Sequence, residues 1–301
     1  MLFEAGLEKR AALIQAIRAF FIDRDYLEVD TPYRLPVLIP EAHNEPVKSG
    51  DHFLQTSPEL CMKRLLAETG CSRIFQICKC FRHKERGDRH LPEFTMLEWY
   101  RTHCDYHALM EECEDMILEV YGAIGHKSSA QAKGSTINLQ KPWDRLTVAD
   151  AFDRYAPVSM VKALEQDSFD ETLCRYIEPK LGLSKPLFLY DYPVKLGALA
   201  RSKKEDPSLA ERFEIYMAGL ELANGFSELI DQSVQQKRFE VEAELISKKG
   251  RTTVELPLKF LSSLPKMEET AGIALGVDRL AMVLFEAEKI DQVVTFVPED
   301  L

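Results

Sequence analysis

The chain has 301 residues, 46% of them hydrophobic and 29% charged. These proportions exclude intrinsic disorder, collagen-like repeats and a dominant coiled coil, and they fit one large or two small globular domains. Lys and Arg number 38 against 49 Asp and Glu, a net charge of -11 that disfavours general nucleic-acid binding, because grip on a phosphate backbone comes from Lys and Arg displacing counterions.

Residues 5 to 22 place Leu7, Ala11, Ile14, Ile17 and Phe21 at three- and four-residue spacing, which predicts an amphipathic helix. This terminus carries acids among its basic residues and no small-residue cleavage site, so it reads as part of the fold and not as a signal peptide. No apolar run approaches the ~20 residues of a membrane span. Tyr26 to Pro32 reads as a short strand stopped by proline. Ser57-Pro58-Glu59 marks a helix start, with Ser57 as cap, and the helix runs through Leu60, Lys63, Arg64 and Leu66 to a break near Gly70. Arg73 to Cys78 and Phe94 to Tyr100 read as two strands of an antiparallel hairpin.

The tip of that hairpin, Lys79 to His90 (KCFRHKERGDRH), holds five basic residues against two acids, with two histidines. In an acidic chain this island, of roughly +3 charge, suits a polyanion such as a nucleoside triphosphate; a solvated loop is the alternative. Asp105 to Tyr121 is helical and acidic, and Gly122 to Gly134 is small and polar, a surface loop. Arg212 to Met217 alternates as a strand, Asp231 to Lys249 is a charged helix, Gly276 opens an apolar helix, and Val293 to Val297 closes the chain as a β-branched strand. With no repeat and no linker, the pattern predicts an α+β domain, an antiparallel sheet flanked by helices, over residues 1–301.

Glu221-Leu222-Ala223-Asn224-Gly225-Phe226-Ser227-Glu228 draws attention for its chemistry. If Asn224-Gly225 is a two-residue turn, Glu221 faces Glu228, and two facing carboxylates repel unless a proton or cation lies between them. On a helix the pair again shares a face, and either geometry makes a hard-cation site, with magnesium as the usual occupant beside phosphate oxygens; two separately solvated glutamates are the alternative. Arg82 and Arg279 are each placed to grip a phosphate. Seven cysteines, an odd number, read as reduced thiols of a cytoplasmic protein. Cys61, Cys71, Cys78 and Cys80 with His83 and His90 match no paired zinc-ligand spacing, and Cys78 and Cys80 share one strand face as core residues do. No serine sits in a nucleophile elbow.

Several segments together resemble the catalytic domain of class II aminoacyl-tRNA synthetases of the lysyl type. Phe20-Phe21 with Glu28 to Pro32 resembles the first motif, Phe81-Arg82 with Pro92 to Tyr100 the second, and Gly272 to Leu280 the third; Asp191-Tyr192-Pro193-Val194 and Glu221 to Leu229 are further lysyl-type signatures. The match begins near residue 5, with no anticodon-binding domain before it. It therefore resembles the stand-alone paralogues, the elongation factor P β-lysine ligase family. Trp99 and Ala274, the latter where lysyl enzymes usually carry glycine, point the same way, although one methyl in a pocket wall discriminates by only ~1–3 kcal/mol.

The resemblance implies a cytoplasmic homodimer, joined through the first motif. It would use ATP and magnesium to make an adenylate of (R)-β-lysine and transfer the β-lysyl group to a lysine of elongation factor P, with no membrane and no tRNA as partner. It assigns Arg82 to the α-phosphate and the substrate carboxylate. His83, Lys84, His90 and Leu91 fall along the triphosphate and adenine, and Phe94 under adenine. Ser57, Pro58 and Glu59 frame the amino-acid end, Glu98, Tyr100 and Glu228 meet ammonium groups, and Ala274 shapes the pocket. Glu221 and Leu222 meet ATP and magnesium, with Glu228 as a second metal ligand. Gly276 lets the nucleotide approach the backbone, and Arg279 takes the γ-phosphate. Two positions depart from the family pattern: Lys84 stands where glutamate is usual, with Glu85 next to it, and Met267 to Thr270 lacks the common prolines. A lysyl-tRNA synthetase activating α-lysine, a ligase for another small acceptor and a non-catalytic paralogue remain open.

Overall fold

The computed structural model describes residues 2–125, 129–132, 135–251 and 255–301. An eight-stranded sheet runs through the molecule in the order Leu27–Glu28, Arg73–Phe81, Glu93–Thr102, Thr270–Gly276, Leu220–Ser227, Leu209–Met217, Leu187–Pro193, Asp144–Thr147. The six central strands are antiparallel, as expected, but each edge adds a parallel pair, Leu27–Glu28 on Arg73–Phe81 and Asp144–Thr147 on Leu187–Pro193. The fold is α+β.

Strand alternation divides the sheet into two unlike faces. Phe75, Leu97, Trp99, Phe213, Ile215, Ile273 and Leu275 enter the main core, shared with Leu109, Met110, Cys113, Met116 and Ile117 of the helix Tyr106–Ala123. The helix Glu4–Ile22 adds Leu13, Ile17, Phe20 and Phe21 to that core, while Leu7 stays exposed. The opposite face carries Gln76, Glu98, Tyr100, Gly272, Ala274, Asn224, Phe226, Arg212 and Glu214, cross-strand neighbours in register. The helix Glu59–Thr69 walls it at one end, where Met62 and Leu66 pack with Ile74 and Tyr100.

Several local expectations change. The Tyr26 to Pro32 strand shrinks to Leu27–Glu28. Pro58, not Ser57, is the N-cap of Glu59–Thr69, and no side chain caps it. The expected loop from Gly122 to Gly134 is instead the end of Tyr106–Ala123 followed by strands Ser129–Ala132 and Ser135–Asn138, which pair with each other; its residues 126–128 and 133–134 lie outside the described residues. Val293 to Val297 forms no strand: Val293 donates its N–H to Ile290 O, and Val293 and Val294 are buried in the main core. The helix Gln232–Lys248 forms as read, capped by Asp231 accepting from Val234 N–H at 2.9 Å.

The largest change concerns Asn224-Gly225. It is no turn; it lies in the middle of Leu220–Ser227, with Asn224 between Glu214 and Ala274 and Gly225 between Phe213 and Ile273. A Cβ on Gly225 would lie 2.7 Å from the Phe213 ring, so glycine is needed there for close approach. The register slips one residue between Tyr216 and Ile215, making a β-bulge at Leu222. Leu222 and Ala223 both enter the main core, and Glu221 thereby shares the open face with Asn224 and Phe226. Among the described residues no helix is long and apolar enough to cross a membrane.

Candidate active site

The open face, where Arg212, Glu221, Asn224, Phe226 and Ala274 are partly exposed, reads as a cleft with two chemically distinct ends. At the first, Glu59 and Lys63 come from the helical wall, Glu98 and Tyr100 from Glu93–Thr102, and Glu228 from the end of Leu220–Ser227. Glu59 and Lys63 stand one helical turn apart and meet at 2.5 Å, and the Lys63 ammonium also contacts Glu228. Lys63 is 2% exposed and Glu228 fully buried. Tyr100 Oη donates to Glu98 Oε1 at 2.5 Å. Glu98 Oε2 and Glu228 Oε1 are buried without a hydrogen-bond donor. A Cβ on Gly272 would strike the Tyr100 ring at 2.2 Å and Glu228 Oε1 at 2.8 Å, so only glycine leaves room for this pair.

Crowded carboxylates in a dry site hold protons more tightly. Burial, with the Glu59 charge, raises Glu98 well above the carboxylate range, and burial pushes Glu228 up to about 8 despite Lys63. Burial alone would depress Lys63, but the Glu228 and Glu59 carboxylates outweigh it and raise the ammonium. The end as a whole is built to receive positive charge.

At the second end, Arg279 in the first turn of Val277–Leu284 donates to Glu221 O at 2.9 Å and to Glu221 Oε2 at 3.3 Å, and lies 2.5 Å from His90 Nε2. Burial and the Arg279 charge lower His90, which suits a neutral ring accepting from the guanidinium. Glu214 accepts from Arg212 at 2.6 Å and from Tyr192 and Tyr216 at 2.6 and 2.7 Å. Burial and the Glu221 charge raise its pKa, so Glu214 and Glu221 sense each other. Gly276 caps the helix, and a Cβ there would have the Arg279 side chain as its nearest neighbour, at 3.7 Å. Between the ends, the Arg82 guanidinium lies over the Phe94 ring at 5.1 Å, its Nε buried and unpartnered. Ala274 packs beside Phe94 and the Cys78, Cys80 and Met96 sulfurs.

The sequence-derived residues therefore divide. Glu59, Glu98, Tyr100 and Glu228 converge, as do Glu221, Arg279, His90 and Gly276. Glu221 and Glu228 do not form one metal site: with the turn replaced by continuous strand they stand about 20 Å apart at ~3.3 Å per residue, one on Arg279 and the other on Lys63. Leu91 is buried in the main core, as is Leu222, so neither side chain lines the nucleotide. His83 and Lys84 each lie 3.8 Å from Glu45, with Lys84 in the left-handed backbone region, while Glu85 reaches to 3.9 Å from Arg82. Glu85 thus lies beside Arg82, and Lys84 beside Glu45 instead. Arg86, a fourth member of the island, is held by Asp291 and Glu299 outside the cleft. Ser57 is half-buried beside the buried Pro58 at the head of the wall. Trp99 lies on the core face, where Nε1 donates to Glu112 at 3.2 Å, so it does not shape the pocket.

Sequence reading missed Lys63, Arg212 and Glu214. The Glu59 to Lys63 spacing of four was a usable signal, as was the alternation of Arg212, Glu214 and Tyr216. Among the described residues no group of three or more His, Cys, Asp or Glu is arranged to hold a metal.

Comparison with known proteins gives a consistent result. The family model described as tRNA synthetases class II (D, K and N) matches residues 3–300. The elongation factor P–(R)-β-lysine ligase of Pectobacterium atrosepticum is 37% identical over 97% of this chain and 94% of its own length. The ligases of the same name from Salmonella arizonae and Erwinia tasmaniensis are 38% and 37% identical over the same shares.

Proposed function

The chain belongs to the class II tRNA synthetases (D, K and N), and on that premise we propose that it activates (R)-β-lysine with ATP and transfers the β-lysyl group to a lysine side chain of elongation factor P. The observation that carries the substrate class is the pair of buried, donor-free carboxylate oxygens, Glu98 Oε2 and Glu228 Oε1, at one end of a cleft with arginines at its centre and far end. Two carboxyl acceptors suit a substrate with two ammonium groups, whose charge would favour their ionised forms, and Arg82 suits its carboxylate.

In this reading the substrate carboxylate attacks the α-phosphorus in line, the new P–O bond forming as the bond to pyrophosphate breaks. Arg82 orients the carboxylate and offsets charge at the α-phosphate, Phe94 offers a face for adenine, and Arg279 holds the γ-phosphate with His90 beside it. The acceptor amine then attacks the adenylate carbonyl, AMP leaves with the C–O bond pair, and the amine gives up a proton. Glu214 with Glu221, not Glu221 with Glu228, would hold magnesium: the Glu221 charge and burial raise Glu214, and a hard cation would relieve that repulsion. It would supply charge neutralisation to the leaving pyrophosphate. We read residues 1–301 as one catalytic domain of a cytoplasmic homodimer; the exposed apolar side chains of Ile22, Leu27 and Tyr33 support an interface at the first motif.

The test is ATP–pyrophosphate exchange with (R)-β-lysine against α-lysine, followed by mass spectrometry of elongation factor P. Exchange favouring (R)-β-lysine and a single β-lysyl mass increment are expected. Preference for α-lysine with charging of tRNA overturns the assignment.

A further inference from the structure

The cleft contains a cation of its own. Lys63 is sealed in the ammonium end, in contact with Glu59 and Glu228, with its Nζ 5.0 Å above the Phe226 ring and 6.0 Å from that of Tyr100. These rings and carboxylates are the groups that bind an alkylammonium ligand elsewhere. Ion pairing alone does not require the arrangement, since a buried pair contributes little net stability over an apolar pair of the same shape. The oxygens left over are informative: Lys63 contacts only one oxygen of Glu228, and the other, with Glu98 Oε2, is buried and unpartnered. Glu59, Glu98 and Glu228 face one resident ammonium, so two carboxyl groups are left unmatched, the number that the two ammonium groups of a diamino acid would pair with as they draw off the protons held there.

We propose that Lys63 is a positioning residue of the amino-acid subsite, a built-in ammonium that fills its innermost cation position and so limits the subsite to two substrate ammonium groups at Glu98 and Glu228. The proposal rests on reading this cleft as an amino-acid site. Lys63 also fixes the Glu228 carboxylate, turning its free oxygen toward Gly272, where the absent side chain leaves room. Removing the Lys63 head group opens a hole of alkylammonium size between Glu59 and Glu228, into which a substrate ammonium can slip out of register.

The experiment uses the full chain and calorimetric titration with (R)-β-lysine, beside pyrophosphate exchange. Lys63→Ala should weaken (R)-β-lysine binding about tenfold or more and raise its KM likewise, with the KM for ATP unchanged. Methylammonium, filling the hole, should restore much of the lost affinity in this variant and none in the wild type. Unchanged (R)-β-lysine affinity overturns the proposal, as does a loss that methylammonium does not relieve. If Lys63→Ala fails to fold, Lys63→Arg keeps the charge with a larger head group; it should raise the KM for (R)-β-lysine and spare that for ATP, and an unchanged KM overturns the proposal. Wild-type binding without exchange would sink the proposed reaction and leave the Lys63 test readable; no wild-type binding overturns both.

Discussion

Glu228 has only Lys63 to answer its charge beneath Gly272 and Tyr100, and burial moves its titration from the ordinary 4.5 to about 8. Between those values the folded chain holds a proton that the unfolded chain has released. Its contribution to stability is therefore fully present below about 4.5 and is lost as pH rises through about 8. Glu228→Gln, which has nothing to ionise, should gain on the wild type as pH increases from about 5 to about 8. Urea midpoints of the two proteins across that range check this, and a constant difference would show that Glu228 does not titrate there. A single side chain was legible in the sequence as an acid within a motif; its proton affinity was not, because its burial and the charges of Lys63 and Glu59 come from other elements.

Elements were more legible than their pairings. The helix Glu4–Ile22 follows from three- and four-residue spacing, Glu59–Thr69 from its Ser57-Pro58-Glu59 start, and Leu209–Met217 from alternation, while Gln232–Lys248 and the hairpin strands Arg73–Phe81 and Glu93–Thr102 are read from composition. The Asn224-Gly225 turn failed for a physical reason. Asn-Gly is a strong local hairpin signal, but strands on both sides hydrogen-bond to this segment and keep it extended. The bulge at Leu222 left no mark in the sequence and decides which face Glu221 joins. The two-faced sheet also separates stability from binding. Trp99→Phe should remove the donor to Glu112, whose other partners are Tyr26 and Arg101, and destabilise by about 1–3 kcal/mol. Because Trp99 faces the core, urea unfolding should register this while the KM for the amino acid stays unchanged. A raised KM without loss of stability would show that Trp99 acts on the pocket.

At the scale of the molecule, Asp278 ties distant parts together. It is 2% exposed, pairs with Arg10 of the first helix at 2.7 Å, and accepts the Thr95 N–H of the central hairpin at 2.7 Å. Arg10 also donates to Val293 O and to Thr95 Oγ1, both at 2.9 Å. The element bearing Arg279 is thus locked to the strand bearing Phe94 and Glu98. Asp278→Ala leaves a partly buried guanidinium without its carboxylate and should cost about 1.5–3 kcal/mol, read as a fall in urea midpoint together with a raised KM for ATP. A loss under about 1 kcal/mol would mean that water reaches and solvates Arg10. By itself the sequence determined what depends on neighbours in the chain: amphipathic helices, alternating strands, the acidic balance with its basic island, and the motif residues Arg82, Glu98 and Arg279. Only the tertiary structure decided that Lys63 meets Glu228, that Glu214 and not Glu228 accompanies Glu221, and that Arg86 leaves the island for Asp291 and Glu299. Those contacts join residues far apart in sequence, and burial, register and charge compensation act on distance in space, which local propensity does not encode.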